Sequence, residues 1–241
     1  MRLLSKLVAA GAVVTSLTAG ALVASANSPG HNWSGFYVGG VASGGIFTVE
    51  QEDYWCFYAC DAPTLQDWDA SIGVQGGFNW QSGNLVLGVS ADWSTGFEQE
   101  ETVLYDATAT PDGVVWNSKW NSYGTIRGRA GLAVGNALVF ATGGIAIVDV
   151  DYSSREMDLG VIDCPATTDC ALFSDTLIGF TAGAGVGFPI ADNLNLTFEY
   201  QYIGLPWDKA RYDSAGPGTD DYVSWTTSAH LARVGVAWEF N

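Results

Sequence analysis

"GLAVGNALVFATGGIAIV", residues 131–148, is eighteen residues long and carries no charge. That length and apolarity suit a helix crossing a bilayer once. Its interior argues otherwise. Gly135-Asn136 stands between two alternating stretches, and Gly-Asn is the two-residue signal of a tight hairpin. Two strands joined by a turn account for the segment better than one helix, and the rest of the chain follows from that choice.

A second stretch, "LNLTFEYQYIG" at 194–204, shows what such strands look like from both sides. Leu194, Leu196, Phe198, Tyr200 and Tyr202 share one face, while Asn195, Thr197, Glu199 and Gln201 share the other. Alternation of this kind and turn residues predict eight strands, near 36–49, 68–80, 84–98, 119–134, 137–151, 176–190, 194–208 and 229–240. Their connections alternate in kind. Ser82-Gly83, Gly135-Asn136 and Asp192-Asn193 mark short turns, whereas 50–67, 99–118, 152–175 and 209–228 are expected to be long acidic loops. Short turns at one end and long loops at the other are the plan of an antiparallel up-and-down transmembrane β-barrel with periplasmic turns and extracellular loops.

Composition agrees with an all-β fold. Thirty glycines, ten Trp, ten Tyr and eleven Phe with only two Met do not build a helical bundle. At the amino end Arg2 and Lys6 precede the apolar run Leu7 to Ala24, and Ala24-Ser25-Ala26 supplies the small-x-small pattern that a signal peptidase cuts. These features predict a signal peptide over 1–26 and one barrel domain over 27–241; the Gly, Ala and Thr in the run disfavour a retained anchor. Without Arg2 and Lys6, seven basic residues face 26 acidic ones, a net charge of −19. So acidic a chain is a poor partner for nucleic acid.

The strand faces decide which side is wet. Over 84–94 the set Leu85, Leu87, Val89, Ala91 and Trp93 opposes Val86, Gly88, Ser90, Asp92 and Ser94. Over 119–134, Trp120, Ile126, Ala130, Leu132 and Val134 oppose Lys119, Asn121, Tyr123, Thr125, Arg127 and Arg129. In the last strand Val234, Val236, Trp238 and Phe240 oppose Arg233 and Glu239. A lumen of eight strands cannot hold every aromatic on the apolar faces, so those faces meet lipid and the polar faces line the interior.

The motifs "NWSGFYVGG" (32–40), "NSYGTIRGRAGLAVGNALVFATGGIA" (121–146), "GFTAGAGVGFPIADNLNLTFEYQYIGL" (179–205) and the terminal "RVGVAWEF" (233–240) resemble the alphaproteobacterial family of small outer-membrane β-barrel surface proteins. The resemblance spans the chain apart from the signal and the long loops. It implies an eight-stranded barrel in the outer membrane, surface exposure, and a role described as porin-like, envelope-stabilising, antigenic or, in some relatives, haemin-binding. Outer-membrane lipids, lipopolysaccharide and the barrel-assembly machinery are the partners it implies. Val236, Trp238 and Phe240 match the terminal assembly signal, although Asn241 follows where such barrels usually end on the aromatic residue.

Inside the barrel, Asp92, Glu199, Arg127, Arg129 and Arg233 are expected at similar mid-strand depth and must pair, since a lone buried charge is costly. They form either an ion-pair plug or the constriction of a narrow, ion-selective pore. Eight strands leave room for little more than side chains, which favours the plug and at most a small conductance.

Of the 26 acids, 22 fall in or beside the four loop segments, as a solvated crown. No spacing in the crown resembles a calcium loop, and no metal site or cofactor is expected. Cysteines fall two to a loop, and in an exported chain the bridges Cys56–Cys60 and Cys164–Cys170 are favoured among three connectivities.

An enzyme is not expected. Ser228 and His230 share a face of the last strand, but no acid is placed with them. Two functions remain: a structural, porin-like barrel, and a surface-binding protein whose loops capture haemin or a host or phage partner. Tyr54, Trp55, Phe57, Tyr58 and Trp116 would stack on a flat ligand or belong to the outer aromatic girdle.

Overall fold

The computed structural model describes residues 30–53, 65–106, 112–158, 161–162, 170–205, 208–211 and 222–240. The predicted signal peptide lies outside these residues, as do Cys56, Cys60, Cys164 and the side chain of Cys170. So do Tyr54, Trp55, Phe57, Tyr58 and the side chain of Trp116.

The described residues form strands β1 (Gly35–Asp53), β2 (Leu65–Ser82), β3 (Leu85–Thr95), β4 (Glu98–Asp106), β5 (Asp112–Val134), β6 (Ala137–Asp158), β7 (Val161–Ile162), β8 (Cys170–Ala191), β9 (Leu194–Gly204), β10 (Asp208–Arg211) and β11 (Tyr222–Phe240). β3 and β4 are one barrel strand interrupted at Gly96-Phe97, and β9 and β10 are another. β7 only extends the β6 hairpin. Eight antiparallel strands thus close a ring in the order β1, β2, β3, β5, β6, β8, β9, β11 and back to β1.

Two of the three tight turns, Gly135-Asn136 and Asp192-Asn193, fall where the sequence places them. Gly135-Asn136 joins β5 to β6 with Gly135 at φ 59°, a left-handed conformation that a side chain disfavours. The first turn is centred on Gly83-Asn84, one residue later than expected, with Gly83 at φ 60°.

The strands are longer than predicted. β5 has 23 residues and β6 and β8 have 22 each, so segments expected to be acidic loops continue as sheet. A tilted span needs only about 9–11 residues, so these extensions stand in water, where outward charges are compatible with a strand.

The extensions also change the topology. β3 stops pairing with β2 at Gly73↔Ser94, and β9 stops pairing with β8 at Phe180↔Gly204. Beyond those points no ladder joins β2 to β4 or β8 to β10 among the described residues. The ring therefore opens into two four-stranded sheets, β4-β5-β6-β8 and β2-β1-β11-β10.

The faces of the ring follow the sequence. Leu85, Leu87, Val89, Ala91 and Trp93 are exposed outside while Val86, Ser90, Asp92 and Ser94 are buried inside. Leu132, Val134, Val234, Val236, Trp238 and Phe240 also lie outside. Trp120 is the exception. A bulge between Trp120 and Ser122 shifts the register against β6, so Trp120 points inward at 1% exposure while Lys119 and Asn121 turn outward.

Candidate functional site

The lumen is filled in three layers. At the short-turn end Trp33, Val86, Ala133, Leu138 and Phe140 form a small apolar cluster. At the long-loop end a larger cluster includes Phe47, Phe97, Trp120, Tyr152, Ile203 and Trp225. Its rings pack closely: Phe47 meets Trp120 edge-on with centroids 4.9 Å apart, and Tyr152 stacks on Trp225 at 5.3 Å. Between these clusters lies the charged layer.

Each charge reaches the layer from an inward position of a central strand. Asp92 is on β3, Arg127 on β5, Glu199 on β9 and Arg233 on β11. Arg127 spans the two acids, with Nη2 3.0 Å from an oxygen of Asp92 and Nη1 2.5 Å from Glu199. Arg233 reaches across the lumen to the other oxygen of Asp92 at 2.9 Å. Neutral groups complete the coordination. Thr125 donates to Asp92, Thr142 donates to Glu199 at 2.7 Å, and Gln201 accepts from Arg233 while donating to Thr181 at 2.9 Å. Two arginines thus face two carboxylates, a neutral set in which each charge has a hydrogen-bonded counter-ion.

Arg129 does not join them. Its guanidinium sits between the rings of Tyr37 and Phe140, 5.4 and 4.5 Å from their centroids, and among the described residues it meets no carboxylate. One residue pair along β5 shifts a side chain by almost 7 Å at ordinary strand rise, enough to lower Arg129 into the next layer. The interior acid missed by sequence reasoning as a partner is Glu239, which lies near the short turns and holds His31 Nε2 at 3.2 Å. Its inward parity opposite Trp238 was a usable signal; the partner, from the segment preceding β1, was not.

That segment closes the short-turn end. Trp33 N donates to Gln81 at 2.7 Å, Ser34 Oγ accepts from Gln81 N at 3.0 Å, and Gly30 N donates to Gly135 O at 3.0 Å. The Trp33 ring is thereby held in the lumen at 2% exposure.

Outside the barrel, Ser228 and His230 lie on the outer face of β11. His230 Nδ1 is 2.6 Å from the hydroxyl of Tyr200. Above the ring, Asp151 accepts from Asn121 Nδ2 at 2.7 Å. Hydrogen bonds from Ser174 and Asn121, helped by the charge of Lys119, hold the Asp151 carboxyl below the ordinary carboxylate value.

A closed eight-stranded ring with an apolar outside, short turns at one rim and a side-chain-filled lumen defines an integral outer-membrane β-barrel protein. The chain belongs to the outer membrane protein beta-barrel domain family, whose model matches residues 12–240. It is 30% identical over 176 residues to the 22 kDa outer membrane protein of Rhizobium leguminosarum bv. viciae, covering 72% of this chain and 65% of that one. It is 31% identical over 173 residues to the 31 kDa outer-membrane immunogenic protein of Brucella melitensis, covering 70% of this chain and 65% of the relative. The match thus spans just under two thirds of these relatives' length. Among solved structures, the outer membrane protein OprG from Pseudomonas aeruginosa superposes with a TM-score of 0.51 at 12% identity, covering 88% of this chain and 99% of that one, a likeness of fold alone.

Proposed function

We propose that the protein is a non-enzymatic structural barrel of the envelope, porin-like in build but with its lumen plugged. The bridge that Arg127 makes between Asp92 and Glu199, set between two apolar layers, carries this reading. An ion crossing the lumen would have to displace Trp33, break that bridge and part the Trp120–Trp225 cluster. The engagement of His230 by Tyr200, a phenol and not a carboxylate, supports a non-catalytic role for the Ser228–His230 pair.

The outer face meets lipid and lipopolysaccharide, and Val236, Trp238 and Phe240, all outward on the closing strand, present the terminal signal to the assembly machinery. The names of the Brucella relatives, which call them immunogenic, support exposure at the cell surface. Capture of haemin or of a host or phage partner is the second reading; it belongs to the loop tips, outside the described residues. Planar-bilayer recording of the refolded barrel tests the first. It predicts no stable conductance steps from the wild type; steady ohmic steps whose ion selectivity changes in Glu199→Gln would replace the plug with a pore. A Soret shift on mixing the same protein with haemin would favour the second reading.

A further inference from the structure

Below the charged layer lies a cavity of about 20 Å³, lined by residues that include Trp33, Tyr37, Asn79, Arg129, Asn195 and Glu239. It has room for a water molecule or one small ion. Its lining carries an unusual number of idle polar atoms. Trp33 Nε1, the Tyr37 hydroxyl, Asn79 Oδ1, Arg129 Nε and Asn195 Oδ1 are all buried without a hydrogen-bond partner.

Arg129 decides what the cavity suits. It is a permanent cation, nine-tenths buried, and among the described residues its guanidinium makes no hydrogen bond or ion pair. Arg127 and Arg233 take Asp92 and Glu199, so neither acid is left for it. Glu239, the acid on the cavity wall, is engaged by His31. The rings of Tyr37 and Phe140 stabilise the cation from its faces but satisfy none of its N–H groups. Trp33 Nε1 can only donate, and the Tyr37 hydroxyl is free to donate. Either asparagine amide also donates if its oxygen and nitrogen exchange places.

We propose that this cavity is a site for one small inorganic anion of halide size. Arg129 is its counter-ion, and the Trp33 indole N–H and the Tyr37 hydroxyl are its hydrogen-bond donors. Trp33 brings the segment 30–34 to the cavity wall, so a bound anion ties that segment to the barrel and strengthens closure at the periplasmic end.

Two measurements on the refolded barrel test this. In crystals grown in sodium bromide, bromine anomalous scattering should show a peak between Arg129, Trp33 and Tyr37. In solution, the thermal midpoint of the folded band on a gel should rise saturably with sodium chloride relative to sodium gluconate at equal ionic strength. Arg129→Gln should lose that rise, and Trp33→Phe, which keeps a ring but removes the N–H, should weaken it. If Arg129→Gln does not fold, the bromide map and Trp33→Phe still decide. Density for water alone, or a chloride response equal in all three proteins or absent from the wild type, would overturn the proposal. A bromide peak without any chloride response would mean an adventitious ion only, and would overturn it equally.

Discussion

Strand β6 passes through two environments, and its side chains reverse their roles between them. In the ring, Val139 and Ile145 point outward to lipid while Thr142 takes part in the polar interior. Higher up, Val148, Val150 and Tyr152 are buried between the two sheets and Asp149 and Asp151 point outward. The neighbouring strands agree: Phe47, Trp120 and Trp225 lie inside the upper half, while Glu50, Lys119 and Thr226 lie outside it. Leu172 and Trp68 are apolar exceptions on the outer surface. The backbone ladder continues unchanged from β5 to β6 to β8 across this level. What inverts is the solvent, and the pattern of side chains follows it.

The polar layer of the ring should be the most sensitive part. Arg127→Gln leaves Asp92 short of one partner and Glu199 without its counter-ion, and loss of one member of a buried pair costs about 3–5 kcal/mol, less where water enters. Urea unfolding in detergent micelles measures it. A cost no larger than that of an exposed substitution would mean the layer is wet. On the outer face the comparison is sharper, because one substitution reads both environments. Val236→Arg, in the ring, should cost about 2–4 kcal/mol, whereas Thr226→Arg, on the same face of the same strand above it, should cost less than about 1 kcal/mol. Equal penalties would erase the boundary.

The smallest effect lies wholly on the water side. The Asp151 carboxyl titrates below its ordinary value of 3.8, so it contributes stability above that pH and loses it as pH falls through the lower, folded value. Since the group is mostly solvated, the contribution is less than about 1 kcal/mol. Asp151→Asn should therefore lower the thermal midpoint slightly near neutrality and reduce its acid sensitivity only below about pH 4.

Much of the ring was legible because its signals are local. The Gly135-Asn136 turn and the alternation in 194–204 each fix a hairpin or a face without knowledge of distant partners. The upper half was harder to read. Charges at Glu50 and Asp175 look like loop when the outside is assumed to be lipid throughout, and like strand once the outside is water. Trp120 falls on the wrong face when parity is carried across the bulge, which no residue in "KWNSYG" announces. In the lumen, parity placed Asp92, Arg127, Arg129, Glu199 and Arg233 inward but gave neither heights nor partners, and Arg129 stands apart from the other four. Arg127 and Arg129 have the same parity, yet their surroundings differ completely. Thr125, Thr142 and Gln201 gave no warning of their roles, since a neutral polar residue inside a barrel becomes a ligand only when a particular charge lies opposite.

The claim beneath these comparisons is that the outer surface passes from lipid to water between Ile147 and Asp149. Spin labels on single cysteines at 145, 147, 149 and 151, in protein whose native cysteines are replaced by serine, test it directly in bilayers. Labels at 145 and 147 should collide mainly with oxygen, and those at 149 and 151 mainly with a water-soluble nickel complex. One accessibility ratio shared by all four positions would contradict the boundary, and with it the account of why the two halves of the barrel are built inside out from one another.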